Sequence, residues 1–226
     1  MLLFINACVR KDSRTRQLAE RILSSAGPVT EIRLTDLDFP KVDEAFLVKR
    51  NQLLAEGKFD DPTFDLARQF AEADGIVIAA PFWDFSFPAV LKQYLEQVTV
   101  LGITFRYTPD GIPKGLCRAK KLTYITTAGG EYVPEEYGFG YVRALAQNFY
   151  GIKAVEQVKA TGLDIDGTNA LSKTIILWQI DEHWKQHLRD LDDLSVSLLY
   201  GMLFCVGYTG FQSLIYCRSD SAFFAG

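Results

Sequence analysis

The chain has 226 residues and a net charge of −4 at pH 7, and it is 48% hydrophobic and 23% charged. This suits a globular protein with a real core, either one α/β domain with an appendage or two small domains. The negative balance and the lack of a dense Lys/Arg cluster argue against nucleic acid as a partner, because phosphate neutralisation needs clustered cations. The four cysteines form no CxxC pair, which favours reduced thiols in a cytoplasmic protein.

The two histidines, His183 and His187, both lie in the last fifth of the chain. Residues 1–182 therefore exclude Ser-His-Asp and Cys-His centres and His-rich metal sites. The pair stands at i and i+4 without an evident third ligand, so we expect polar-face histidines and no metal site. Chemistry in the main part of the chain must come from carboxylates, hydroxyls, thiols or a bound cofactor.

Apolar runs alternate with helical patterns along the first 160 residues. The run at residues 2–5 has no basic region before it and predicts a strand rather than a signal peptide. Further strands are predicted over residues 29–34, 75–80, 121–127 and 154–159, with a small one at 104–107. Helices are predicted from Ser13, after Pro88, and over residues 43–54, 62–73 and 137–150. Five main strands alternating with helices predict a doubly wound parallel sheet.

Unusual loops follow the first, third and fourth of these main strands, where doubly wound folds bind ligands. The first loop carries Arg10 and Arg14 at a helix start that suits a phosphate, although an ordinary N-capped helix explains it equally well. The second, residues 81–88, has four aromatic side chains, which indicate either a wall for a flat ring or a hydrophobic cover or dimer contact. The third contains Gly129 and Gly130, which favour close backbone approach or a plain turn. Together the three loops predict one ligand site.

In their order and spacing these motifs resemble the family of FMN-dependent NADH:quinone oxidoreductases and NADH-azoreductases. The resemblance covers about residues 1–170 and rests on residues 10–15, 73–85, 91–94, 102–108 and 125–130. It implies a flavodoxin-like α/β fold with a doubly wound five-stranded parallel sheet in the order 2-1-3-4-5. It also implies a homodimer with FMN as cofactor, NADH or NADPH as donor and a quinone or azo compound as acceptor. Hydride transfer would be a two-electron ping-pong reaction through the flavin.

The resemblance implies residue roles as well, with the flavin rather than a catalytic side chain carrying the chemistry. The phosphate would be held by Arg10, Ser13 and Thr15. The ring would be lined by Pro81, Phe82, Trp83, Asp84 and Phe85, and its polar edge would contact Thr127, Ala128, Gly129 and Gly130. Tyr107 and Tyr132 would lie at the substrate site or a dimer contact.

Two departures from the family pattern affect these roles. Members often carry Met-Tyr-Asn where this chain has Phe82-Trp83-Asp84, and Ser-Arg where it has Thr127-Ala128. A carboxylate at Asp84 cannot donate a hydrogen bond as an amide does. We therefore expect the ring contacts of this loop to come from its backbone.

Two alternatives remain open. One is a flavodoxin-type electron carrier that does not turn over NADH. The other is a low-molecular-weight tyrosine-phosphatase-like enzyme, because Cys8, five residues and then Arg14-Thr15 match its C-x5-R-[ST] loop. Against it, the intervening residues lack glycine and include Asp12, whose charge would oppose a phosphate dianion.

The family pattern stops near Lys173, which predicts a domain over residues 1–172 and an extra helical tail over 173–226. Residues 176–194 have the pattern of a charged amphipathic helix. Part of this stretch is similar to a helix of the bacterial preprotein-translocase motor ATPase, which suggests a fusion or a frameshift as the origin of the tail. Residues 194–217 carry no charge and are long enough to span a bilayer. Their glycines and hydroxyl side chains favour a packed or poorly ordered appendage over a membrane anchor.

Overall fold

The computed structural model describes residues 1–24, 26–165, 170–186 and 189–190. The chain divides into two units, Met1–Ile176 and Leu177–Gly226. His187 and the uncharged segment 194–217 lie outside the described residues. Among the helices that are described, none has the length and apolar character needed to cross a membrane.

The first unit contains a five-stranded sheet and a separate two-stranded one. The strands are β1 (Leu2–Asn6), β2 (Val29–Arg33), β3 (Gly75–Ala79), β4 (Phe105–Tyr107), β5 (Pro113–Gly115), β6 (Lys121–Thr127) and β7 (Ala154–Ala160). The main sheet has the order β2-β1-β3-β6-β7 with every pairing parallel. Counting main-sheet strands alone, this order is 2-1-3-4-5, so the predicted sheet and its order are confirmed.

Five α-helices accompany these strands in the described part of residues 1–165. They are α1 (Arg14–Leu23), α2 (Glu44–Ala55), α3 (Asp65–Glu72), α4 (Ala89–Val98) and α5 (Phe139–Leu145). The helix predicted over residues 62–73 begins as a 3-10 turn at Pro62–Phe64, where the Asp61 side chain caps the N–H of Thr63. The helix predicted over 137–150 starts at Phe139 and ends in a π-helical turn, Ala146–Tyr150.

The core lies against the central strands of the main sheet. Leu3 and Ile5 of β1 and Ile78 of β3 are fully buried, because helices cover both faces of a doubly wound sheet. Phe70 of α3 is buried beside them, and its ring lies 4.8 Å from that of Tyr150, edge to face. The continuous apolar runs in the sequence therefore correspond to strands buried on both sides.

The antiparallel pair β4–β5 was predicted only in its first half. Strand β5 runs from Pro113 to Gly115, residue types that sequence patterns assign to turns. Gly115 packs against the π-helical turn, where a Cβ would lie 2.1 Å from the carbonyl carbon of Tyr150. This close backbone approach explains why a glycine occupies the strand.

The helix predicted over residues 176–194 is present in its described part, and residues 187–188 and 191–194 lie outside the described residues. Residues 170–186 are helical, and so are 189–190, so the helix begins earlier than the predicted residue 176. Lys185 pairs with Asp181 at 2.5 Å and with Glu182 at 3.1 Å, the spacing of neighbours on one helix face.

Candidate functional site

A cavity of about 530 Å³ opens where β1, β3 and β6 end. This volume lies in the range of small-ligand sites. It is lined by Arg10, Asp12, Ser13, Arg14, Thr15, Pro81, Phe82, Trp83, Thr127, Gly129 and Asp164. The three loops singled out from the sequence are thus brought together around one space.

One end of the cavity is the start of α1. Ser13 is the N-cap residue in extended conformation, and its Oγ accepts from the N–H of Arg16 at 3.4 Å. The first turn of a helix has N–H groups without intrahelical acceptors and carries partial positive charge. Ser13, Arg14 and Thr15 all line the cavity, so this end suits an anion.

The floor of the cavity joins the first loop to the third. The hydroxyls of Thr15 and Thr127 are hydrogen-bonded to each other at 2.7 Å, and both residues are buried. Removing one hydroxyl would leave the other buried without this partner, which is energetically costly. The pair therefore fixes the distance between the start of α1 and the third loop, which contains Gly129 and Gly130.

Charges of both signs surround the helix start. Arg10 and Arg14 line the cavity together with the carboxylates of Asp12 and Asp164. Arg14 Nη2 and Asp164 Oδ1 form an ion pair at 2.7 Å. Arg14 was predicted from the sequence as a cation suited to a phosphate, although the resemblance assigns it no cofactor contact. Asp164 was not predicted, and it follows β7 in a stretch without a recognisable motif. The predicted strand order could have pointed to this segment, because the loop after the fifth strand of such a sheet lies beside the loop after the fourth.

The third loop is held by the segment after β7. The carbonyls of Ala128, Gly129 and Gly130 accept from backbone N–H groups of residues 162–164 at 2.9 to 3.2 Å. The N–H of Ala128 also donates to the carbonyl of Ala160 at 2.9 Å. Ala128 thus has both backbone groups engaged, and neither it nor Gly130 lines the cavity as described. Of the three small residues predicted here, Gly129 alone reaches it.

The second loop, residues 81–88, is called the aromatic loop below. It contains a tight two-residue turn. The N–H of Trp83 donates to the carbonyl of Ser86 at 3.1 Å, and the N–H of Ser86 donates to the carbonyl of Trp83 at 2.7 Å. The two central residues, Asp84 and Phe85, have φ of 48° and 65°, the left-handed region that two-residue hairpins use and that favours Asn and Gly. The N–H of Phe82 donates to the carbonyl of Thr127 at 3.0 Å. Of the five residues predicted to line a ring here, Pro81, Phe82 and Trp83 line the cavity, whereas Asp84 and Phe85 do not.

A cluster of aromatic rings stands beside this turn. Phe85 meets Phe82, Tyr132 and Tyr137 edge to face, at centroid distances of 6.3, 6.1 and 6.4 Å. We call Phe82, Phe85, Tyr132 and Tyr137 the aromatic cluster. Phe85 is 54% and Tyr132 75% exposed, so the rings form a surface rather than a core. Tyr132 does not line the cavity, and its place at a substrate site or dimer contact stays a prediction.

The sequence predicts a helix that begins at Tyr137, but Tyr137 lies outside the helix and belongs to the aromatic cluster. It precedes α5, and its carbonyl accepts from Ser86 Oγ at 3.0 Å, which ties it to the aromatic loop. Tyr107 lies on β4, and its ring packs edge to face on Phe105 at 5.5 Å. Tyr107 does not line the cavity within one chain, and a dimer contact there remains a prediction.

Cys8 is buried beside β3 and does not line the cavity. Burial raises the pKa of its thiol above the ordinary value. A phosphatase nucleophile needs the thiolate, and hence a lowered pKa. The structure therefore argues against the C-x5-R-[ST] interpretation of the first loop.

We expect Cys8 and Cys117 to react with iodoacetamide at pH 8 at least about tenfold more slowly than free cysteine, because only the thiolate attacks. For both thiols burial raises the pKa, to about 12 for Cys117. A raised pKa keeps the neutral thiol dominant at this pH and moves reactivity to higher pH. Peptide mapping by mass spectrometry, with the urea-unfolded chain as control, measures both sites. Rapid labelling of Cys8 in the folded chain would restore the phosphatase alternative.

Comparison with known proteins agrees with this geometry. A family model described as flavodoxin-like fold matches residues 1–188. The FMN-dependent NADH:quinone oxidoreductase 2 of Clostridium perfringens (strain 13 / Type A) is 37% identical over an alignment of 184 residues, and the match covers 76% of this chain and 91% of that protein. The FMN-dependent NADH:quinone oxidoreductase of Coprothermobacter proteolyticus is 38% identical over an alignment of 170 residues, and the match covers 70% of this chain and 83% of that protein. An azoreductase from Bacillus anthracis str. Sterne superposes with a TM-score of 0.67 at 26% identity, covering 77% and 94% of the two chains.

Proposed function

Since the chain belongs to the flavodoxin-like family of FMN-dependent NADH:quinone oxidoreductases and azoreductases, we propose that it is such an enzyme, with FMN as cofactor and NADH or NADPH as donor. Its acceptors are quinones, azo compounds or both. The observation that carries the proposal is the single cavity that joins an anion-binding helix start, an aromatic loop and a glycine loop. The helix start suits a phosphate, the aromatic loop suits a flat ring, and the third loop suits the polar edge of that ring.

The phosphate end of the cofactor belongs at the start of α1. Ser13 and Thr15 present hydroxyls there beside free N–H groups, and Arg10 supplies a cation. Charge-assisted bonds from guanidinium to phosphate are about twice as strong as neutral hydrogen bonds. These residues bind the phosphate and thereby set the depth at which the rest of the cofactor lies.

The ring belongs against residues 81–85 and the third loop. Pro81, Phe82 and Trp83 supply apolar surface on the cavity side, while Thr127 and Gly129 face the same space from β6. In this proposal the third loop faces the polar edge of the ring through Thr127 and Gly129. Donors fixed in place before reaction stabilise negative charge without reorganisation. Ala128 and Gly130 act by holding this loop rather than by direct contact.

When bound, FMN would supply the redox chemistry, and we propose a ping-pong transfer of two electrons from the nicotinamide to the acceptor. The side chains orient the reactants and limit water. The aromatic cluster offers flat partners a surface on which to stack, and its exposure suits acceptors of varied shape. No acid or base from the protein is required for hydride transfer, which agrees with a histidine-free region at residues 1–182.

Anaerobic stopped-flow spectroscopy of the full chain tests the proposal. NADH is expected to bleach the yellow protein within seconds, and one equivalent of benzoquinone is expected to restore the colour. Methyl red, the azo probe, is expected to lose its own absorbance, with two NADH consumed for each azo bond cleaved to amines. Initial rates measured while the concentrations of NADH and of the acceptor are both varied should give parallel double-reciprocal lines. The same measurements with NADPH in place of NADH show which donor is preferred. Yellow protein reduced by dithionite but by neither nicotinamide is the result for an electron carrier. Colourless protein that hydrolyses an aryl phosphate contradicts both flavin-based proposals.

We propose further that the protein acts as a cytoplasmic homodimer, with Tyr107 or Tyr132 near the partner. The free thiols of Cys8 and Cys117 support the cytoplasmic location. The exposed aromatic side chains beside the cavity support the dimer, because a partner could cover them. Light scattering during size exclusion measures the mass, and a monomer at micromolar concentration would contradict the dimer.

We also propose residues 1–172 as the catalytic domain and 173–226 as an appendage. The support is that every residue lining the cavity lies between Arg10 and Asp164. A chain ending at residue 172 should therefore keep FMN binding. Loss of binding in a folded shortened chain would show that the tail is required.

A further inference from the structure

Arg14, at the phosphate end of the cavity, already has an anionic partner. Its Nη2 lies 2.7 Å from Asp164 Oδ1, and the two residues are 150 positions apart in the chain. Both side chains line the cavity and remain open to solvent, Arg14 at 43% and Asp164 at 70%. The pair is thus accessible to a ligand that enters the cavity.

The position of Asp164 is set by its backbone and by a glycine. The N–H of Asp164 donates to the carbonyl of Gly129 at 3.0 Å. A Cβ on Gly129 would lie 1.9 Å from Asp164 Oδ2, so the carboxylate occupies space that a side chain there would take. The third loop therefore holds the carboxylate next to Arg14.

A phosphate bound at the start of α1 is a stronger partner for Arg14 than this carboxylate. A dianionic phosphate offers three oxygens in a geometry that matches the guanidinium fork. A carboxylate left in place would repel the dianion. Asp12 lines the same cavity but forms no ion pair with Arg14, so the two carboxylates differ in this one contact.

We propose that Asp164 is a counter-ion that the phosphate of FMN displaces from Arg14, and that it thereby limits the preference of the site for FMN over riboflavin. The inference rests on the proposed function, because it takes FMN as the cofactor. Asp164 is a specificity-determining residue in this account and takes no part in hydride transfer.

The test is fluorescence titration of the flavin-free full chain with FMN and with riboflavin. The ratio of the two Kd values measures how much the phosphate adds to binding. Asp164→Asn is expected to raise the preference for FMN about three- to fivefold, since an exposed ion pair contributes little and its loss has a modest effect. Asp12→Asn is the matched control, and it should raise the ratio clearly less.

A double-mutant cycle isolates the contact with Arg14. Arg14→Gln should lower the preference for FMN, and adding Asp164→Asn to it should change the ratio no more than Asp12→Asn does. If Asp164→Asn instead weakens FMN and riboflavin equally, the carboxylate holds the loop or the ribityl chain and the inference is wrong. Equal effects of Asp164→Asn and Asp12→Asn would also overturn it. A wild-type chain that binds no FMN overturns the proposed function, and this inference with it.

Discussion

Ser13→Asp is expected to weaken FMN binding about 100-fold while the flavin-free chain stays as stable as the wild type. Aspartate caps helices as well as serine does, and its charge interacts favourably with the positive end of α1. The same charge stands where the phosphate is proposed to bind. Two like charges about 4 Å apart near a protein surface repel by about 4 kcal/mol, and the open cavity reduces this to about 2.7 kcal/mol, or 100-fold.

Ser13→Asn separates the charge from the change of side chain. Asparagine also caps helices, and it adds no charge, so its FMN affinity should remain within about fivefold of the wild type. Fluorescence titration gives the affinities, and thermal unfolding without flavin gives the stabilities. If Ser13→Asp and Ser13→Asn bind FMN equally well, the phosphate does not bind at the start of α1.

Gly115→Ala is expected to lower the free energy of unfolding by about 3 kcal/mol or more, which places it among the most damaging single substitutions. The new Cβ would lie 2.1 Å from the carbonyl carbon of Tyr150 and 2.2 Å from the nitrogen of Gly151. These are backbone atoms, so no flexible side chain can move aside. Gly151 has φ of 77° and ends the π-helical turn, which leaves that segment little freedom to shift.

Urea unfolding measures the loss as a shift of the midpoint at constant slope. Gly27→Ala is the control, because a Cβ at Gly27 would meet no atom within 4 Å. Its free energy of unfolding should change by less than about 0.5 kcal/mol. Equal stability of the two variants would mean that β5 does not pack on the π-helical turn.

The main sheet was predictable because its signals are local. Continuous apolar runs mark β1 and β3, and Ser13 before a helical pattern marks the start of α1. Loop positions then follow from topology, since a doubly wound sheet places the ends of neighbouring strands together. The cavity walls from the first and third loops, Thr15 and Thr127 among them, were found in this way.

Three features could not be predicted, because they depend on contacts or conformations that leave no local signal in the sequence. They are the partner of Arg14, the turn at Asp84 and Phe85, and strand β5. The partner of Arg14 is 150 residues away, and the residues around Asp164 have no pattern of their own. The left-handed conformations of Asp84 and Phe85 could not be read from the sequence, because turns of this kind usually show Asn or Gly. Strand β5 was missed for a similar reason, since Pro113 and Gly115 indicate a turn until the π-helical turn that they contact is known.

The hydrogen bonds between residues 128–130 and 162–164 also bear on synthesis of the protein. A nascent chain that ends at Ala160 has the helix start and the aromatic loop, but the carbonyls of its third loop still lack their donors. Domains fold as units while translation proceeds from the N-terminus. We therefore expect the third loop to reach its final conformation only after Asp164 has left the exit tunnel, so that cofactor binding that depends on this loop follows late in folding of the domain.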